Sequence, residues 1–174
     1  MDERLAQEAG AAIFTFGSFR LGVHGRGADI DTLLVVPRHI GREEFFRELY
    51  DILKTDPLTS EIVAVPDAYV PVMKFVYDGV DIDLLFAQLA LTSIPANLDL
   101  LDDTLLRNLD EKSVLSLNGV RVTDSILSLV PNIPTFRTAL RTIKKWAKAR
   151  GIYSNVMVCL KTRHIFVQTS QCFV

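Results

Sequence analysis

Apolar positions fall into short, strand-like runs in the first half of the chain and take up a helical spacing in the second. Residues 11–16, Ala-Ala-Ile-Phe-Thr-Phe, form an apolar run ended by Gly17-Ser18, which predicts a buried strand leading into a turn. Residues 33–36 predict a second strand, stopped by Pro37. Between Gly41 and Pro57, the side chains of Phe45, Phe46, Leu49, Ile52 and Leu53 recur at helical spacing. Glu43 and Glu44 stand in the first turn, where the helix dipole favours anions, so this stretch predicts an amphipathic helix. Residues 70–77 and 80–86 flank Asp78-Gly79, a dipeptide that between two apolar segments signals a hairpin.

After Ala90 the character changes. Residues 98–109, 114–117 and 126–130 are rich in Leu and Val and are interrupted by Asn118-Gly119 and Pro131-Asn132, which predicts short helices joined by turns. Phe136, Ala139, Leu140, Ile143 and Ala147 form one stripe between Pro134 and Gly151, which predicts a helix of about four turns. Arg137, Arg141, Lys144 and Lys148 line another face of it. The fold class expected from these elements is α+β, with a mixed sheet, at least one antiparallel pair and flanking helices.

Composition adds bounds rather than detail. With 174 residues, 49% hydrophobic and 23% charged, the chain can bury a core without disulfides or metal, and is neither disordered nor fibrous. No apolar run approaches the ~18 residues of a membrane span, so no membrane association is expected. Met1-Asp2-Glu3-Arg4 is not the start of a secretory signal, and Cys159 and Cys172, without metal-ligand spacing, suit a reducing compartment. The formal charge of −2 hides a polarity. All 21 Asp+Glu lie in residues 1–124 beside 11 of the 19 Lys+Arg, a balance of −10, while residues 125–174 carry the other 8 and no acid. Such a split suits a site that handles both cations and polyanions; it also arises when charges merely cluster on solvated faces.

Candidate chemistry sits in two Asp-x-Asp pairs. Asp29-Ile30-Asp31 leads into the second strand, and because side chains alternate, both carboxylates point one way while Ile30 points toward the core. Asp81-Ile82-Asp83 repeats the pattern on the second arm of the hairpin. Crowded carboxylates repel unless a cation neutralises them, and Mg²⁺ suits oxygen ligands shared with substrate phosphates. One such pair alone is equally the polar outer face of a strand. Gly17-Ser18 after an apolar strand is either an ordinary turn or a place where backbone N–H groups approach phosphate. Its position 11 residues before Asp29 would put a phosphate cradle and metal carboxylates at the same end of a sheet.

The stretch Phe16-Gly17-Ser18-Phe19-Arg20-Leu21-Gly22-Val23-His24-Gly25-Arg26-Gly27-Ala28-Asp29-Ile30-Asp31 resembles the catalytic signature of eukaryotic nuclear poly(A) polymerases, within the DNA polymerase β-like nucleotidyltransferase superfamily. Further similarity lies in residues 78–87, 107–110, 116–124, 129–132 and 144–155. The resemblance covers about residues 11–155 in unbroken order. It implies a nucleotidyltransferase fold over residues 1–90, a partial helical central domain over 91–155 and a divergent tail at 156–174. It implies that Asp29, Asp31 and Asp83 are catalytic metal ligands for Mg²⁺ or Mn²⁺, with Asp81 outside the ligand set. It implies that Phe16, Gly17 and Ser18 hold the triphosphate, that Asn118 meets the ATP ribose, and that Lys144, Lys148 and Tyr153 reach phosphates or base. His24 is expected to be a loop residue with no role as a base.

The activity implied is template-independent transfer of AMP from ATP to an RNA 3′-hydroxyl, in mRNA polyadenylation, by a two-metal mechanism. The expected partners are ATP, an RNA 3′ end and the cleavage and polyadenylation machinery, and the expected location is the nucleus. Past Asn155 the similarity is expected to stop, and alternation at His164 to Val167 suggests a short strand. A chain this short for its family carries a second expectation: a catalytically incompetent truncated isoform that binds nucleotide or a processing-complex partner.

Overall fold

The computed structural model describes residues 10–153. The chain divides into two compact units, Met1–Ser128 and Leu129–Val174. The first contains β1 (Ala12–Thr15), α1 (Gly17–Arg20), β2 (Ile30–Val36), α2 (residues 42–55), β3 (Thr59–Val65), β4 (Val72–Tyr77) and β5 (Val80–Gln88), and α3 (Glu111–Leu129) ends it. In the second, α4 spans Ile133–Ala149. The division falls at residue 128. The Leu-rich residues of α3 pack on the sheet and so belong with it.

The strand order is β1-β2-β5-β4-β3, with β2 and β5 parallel at the centre and the remaining pairs antiparallel. Side-chain alternation gives the central strands two apolar faces. Leu33, Val35, Ala87 and Leu89 on one face pack with Leu117 and Val120 of α3, and Val36, Met73, Leu84 and Phe86 on the other pack with Phe45 of α2. Full burial of side chains such as Leu33, Met73 and Phe86 contributes about 1.5–3 kcal/mol each, which makes this sheet a rigid platform.

The hairpin forms at the expected dipeptide. Asp78 (φ +48°) and Gly79 (φ +76°) both adopt the left-handed backbone of a type I′ turn, whose twist matches that of the strands. The amphipathic helix also forms, with a π-helical turn at Phe45–Leu49 between α-helical segments Arg42–Glu44 and Tyr50–Thr55. Glu44 reaches back to accept the Gly41 N–H at 2.8 Å. Of its predicted apolar stripe, Ile52 lies off the core, 63% exposed.

Other expectations change. β1 is an edge strand, paired on one side only, and Ile13 is 68% exposed, so the run at 11–16 is not a buried strand. Asn118-Gly119 is not a turn; α3 runs through it without a break. The missing Cβ of Gly119 is filled by the Phe16 ring, against which an added Cβ would come to 2.7 Å, so packing outweighs the turn preference of the dipeptide. In residues 98–109 the only helical turn is a short 3₁₀ segment, Asp103–Leu106. Strand β3 was not anticipated. It is an edge strand with a bulge between Ser60 and Val63, and Glu61 there takes φ +52°, which breaks the alternation that would mark it. Helix α4 follows its signals, with the Asn132 side chain accepting the Thr135 N–H at 2.9 Å, Pro134 in the first turn and Gly151 at φ +68°. Phe136, Leu140 and Ala147 of its stripe are buried. The tail at 156–174, with Cys159, Cys172 and the strand suggested at His164 to Val167, lies outside the described residues.

A polar network joins α2, β5 and the start of α3. Asp110 accepts from Arg42 (2.8 Å) and from the Ser113 N–H (3.1 Å), and the Ser113 hydroxyl accepts from Arg42 and the Gln88 N–H, both at 3.1 Å. Burial pushes the Asp110 carboxyl up, but hydrogen bonds from Ser113 and Arg42 outweigh it, so its pKa lies below the ordinary 3.8. A carboxylate with a depressed folded-state pKa adds stability at pH values above its unfolded pKa and loses it as pH falls through the folded one. The urea midpoint is therefore expected to drop as pH falls below about 4, less steeply in Asp110→Ala. That variant should also cost about 1 kcal/mol at neutral pH through loss of the helix cap.

Candidate active site

The parallel pairing of β2 and β5 sets Asp31 beside Asp83, and the hairpin sets Lys74 of β4 on the other side of Asp83. By alternation these three share the face that carries Leu33, Val35 and Ala87, at the end where β2 and β5 begin. Asp29 precedes β2 and is exposed. One carboxylate oxygen from each of Asp29, Asp31 and Asp83 lies within 4.8 Å of the others. The Thr32 hydroxyl fixes the backbone here by donating to the Asp83 carbonyl at 3.1 Å.

Like charges at about 4 Å repel by about 1 kcal/mol even at the dielectric of water. The Lys74 ammonium pairs with the Asp83 carboxylate. Lys74 is half-exposed, so the pair adds little stability. The donor set, all carboxylate oxygen, with Asp83 and Asp31 on rigid strands, fits a hard divalent cation that keeps positions for substrate oxygens. An open pocket of about 510 Å³ adjoins Asp29 and Asp83, lined also by Glu61, Lys74 and Asp81. Asp81 lies two residues before Asp83 on that face and outside the carboxylate cluster.

The Gly-Ser turn is built against Asp31. The Phe16 N–H donates to the Asp31 carbonyl at 3.0 Å, and Gly17, at φ +59°, comes so close that an added Cβ would lie 2.2 Å from Asp31 Oδ2. The Gly17 N–H donates to Thr123 Oγ1 of α3 at 3.1 Å. The carbonyl of Ser18 accepts from the Val23 N–H at 2.9 Å, and Arg20 pairs with Asp124 at 3.1 Å. His24 is in the loop, its ring 5.1 Å from that of Phe19.

Thus Phe16, Gly17, Ser18, Asp29, Asp31 and Asp83 stand together in the first unit. Asn118 is exposed on α3, next to the glycine that holds Phe16. In the second unit, Lys144 and Lys148, one helical turn apart, hold their ammonium groups 5.6 and 5.7 Å from the centre of the Tyr153 ring, within cation–π range. Sequence reasoning missed Lys74 and Thr123. A hairpin turning on Asp78-Gly79 requires residue 74 to face 83, so Lys74 was accessible from the turn itself. Thr123, 106 residues from Gly17, carried no such signal.

Comparison with known proteins matches residues 1–130 to the poly(A) polymerase nucleotidyltransferase domain and residues 135–162 to the poly(A) polymerase central domain. The second match runs past Asn155, where the similarity was expected to stop. The chain is 62% identical over 156 residues to a poly(A) polymerase of Dictyostelium discoideum, covering 89% of this chain and 19% of that protein. It is 60% identical over 157 residues to nuclear poly(A) polymerase 1 of Arabidopsis thaliana, covering 90% and 22%. It thus spans about a fifth of the length of these curated relatives. Among solved structures, mtPAP in complex with UTP aligns with a TM-score of 0.57 at 17% identity, over 95% of this chain and 34% of that one, a likeness of fold. Among the described residues no helix is long and apolar enough to cross a membrane.

Proposed function

The chain belongs to the poly(A) polymerase family, and from that premise we propose that it transfers AMP from ATP to the 3′-hydroxyl of RNA without a template. The observation that carries this reading is the convergence of Asp29, Asp31 and Asp83 beside the Gly17-Ser18 turn. The three carboxylates would hold two divalent ions, Mg²⁺ or Mn²⁺. When bound, such ions lower the pKa of an attacking hydroxyl and stabilise charge on phosphoryl oxygens. The residues themselves position and orient. Asp31 and Asp83, fixed by strand register, set the ligand geometry, and the turn at Phe16, Gly17 and Ser18 places the triphosphate beside them. Asn118 is assigned to the ribose, and Lys144, Lys148 and Tyr153 to phosphates or base.

In the reaction the RNA 3′-hydroxyl loses its proton to solvent as its oxygen forms a bond to the α-phosphorus, the bond from that phosphorus to the α–β bridging oxygen breaks, and pyrophosphate leaves with that oxygen. A relative named as nuclear supports nuclear placement; a role in mRNA 3′-end formation beside the cleavage and polyadenylation machinery belongs to the same proposal and rests on family membership alone. The test is incubation with labelled ATP, Mg²⁺ or Mn²⁺ and oligo(A), with the Asp83→Ala variant beside the native chain. Extension by the native chain and none by the variant is expected. No extension by the native chain would overturn the enzyme reading in favour of a nucleotide-binding or partner-binding role. Equal use of UTP or CTP would remove the adenylyl assignment.

A further inference from the structure

We propose that Thr123 of α3 is a positioning residue that sets the Asp31 carboxylate through Gly17; this rests on the reading of the carboxylates given above. Thr123 is buried, 4% exposed, and its hydroxyl has two partners. It donates to the Gly119 carbonyl one turn earlier at 2.8 Å, which commits its proton and turns its lone pairs outward from the helix. Those lone pairs accept the Gly17 N–H at 3.1 Å. A threonine that only bonds back to its own helix needs no such second partner.

The consequence reaches the site by contact. Phe16-Gly17 is held at one point by the Asp31 carbonyl and at another by Thr123. Between them the bare Cα of Gly17 abuts the Asp31 carboxylate, with no room for even a methyl group. Gly119, a turn before Thr123, receives the Phe16 ring in the space a Cβ would fill, so one short stretch of α3 fixes both residues of the turn. Without the hydroxyl, the Gly17 N–H loses its acceptor in a part-buried place, where an unmade hydrogen bond is costly. The turn shifts to find another partner, and the carboxylate resting on it shifts too.

Thr123→Val keeps the shape and removes the hydroxyl, whereas Thr123→Ser keeps the hydroxyl. In the 174-residue chain, Mn²⁺ affinity followed by electron paramagnetic resonance is expected to weaken about tenfold in Thr123→Val, the size of effect typical of groups that orient metal ligands. The fall in primer extension should lie in kcat, hydrogen-exchange protection of the Gly17 amide should be lost, and Thr123→Ser should restore all three. Should Thr123→Val lose the native circular dichroism spectrum, Thr123→Ala gives the same comparison without the extra methyl group. Native Mn²⁺ affinity in a folded variant lacking the hydroxyl, or equal impairment of Thr123→Ser, would overturn the proposal. Asp83→Asn separates the two readings. Native Mn²⁺ binding by Asp83→Asn defeats the carboxylate site and the proposal with it. Weakened binding there beside native binding in Thr123→Val defeats the proposal alone.

Discussion

Replacing Asp83 by Asn is expected to reduce primer extension by on the order of 10³-fold while leaving the chain folded. Asp83 stands between Asp31 and Lys74 in the row across β2, β5 and β4, and supplies one oxygen of the cluster. Removing a ligand charge forfeits the metal's stabilisation of developing phosphate charge, about 4 kcal/mol, and each 1.36 kcal/mol is tenfold in rate. The amide keeps the volume of the carboxylate and relieves repulsion among three like charges, so the thermal midpoint is not expected to fall. Its ion pair with the half-exposed Lys74 is worth little to offset that relief. Loss of activity at unchanged stability separates this substitution from a fold defect; a lowered midpoint with activity retained would contradict the assignment.

Gly17→Ala is expected to fail for a different reason, and to fail in stability and metal binding together. At φ +59° an alanine pays about 1–2 kcal/mol of backbone strain, and its Cβ would lie 2.2 Å from Asp31 Oδ2, so the carboxylate has to leave its place. A loss of about 1–3 kcal/mol in urea denaturation is expected, with Mn²⁺ affinity and primer extension falling alongside. Gly25→Ala supplies the contrast. Gly25 lies eight residues on, between α1 and β2, has no atom near the position of an added Cβ and does not share the left-handed backbone, so it should leave both properties close to native. If the two alanines behaved alike, the contact between Gly17 and Asp31 would carry no functional weight.

Much of the site was legible because its parts are local. Asp-x-Asp at the start of a strand fixes two carboxylates by alternation, and Asp78-Gly79 fixes the register of the arm that bears Asp83. The stripe and caps of α4 were equally plain, since Asn132, Pro134 and Gly151 act through bonds to near neighbours. What misled was also local. Asn118-Gly119 reads as a turn, yet the Phe16 ring, a hundred residues away in sequence, fills the space beside Gly119 and keeps it helical. Strand β3 escaped notice because the bulge at Glu61 shifts its alternation partway.

By itself the sequence determined most of the elements, because backbone periodicity, turn preference and charge type act over a few residues, and its resemblance to poly(A) polymerases pointed to the class of chemistry they would bear. It left open whether Asp29-Ile30-Asp31 and Asp81-Ile82-Asp83 ever meet. The tertiary structure decided that, through the parallel register that sets Asp31 beside Asp83. It alone decided that α3 holds the Gly17 turn through Thr123. Hydrogen bonds and close approaches between distant segments depend on how faces pack, and packing is a property of the assembled core rather than of any window of residues.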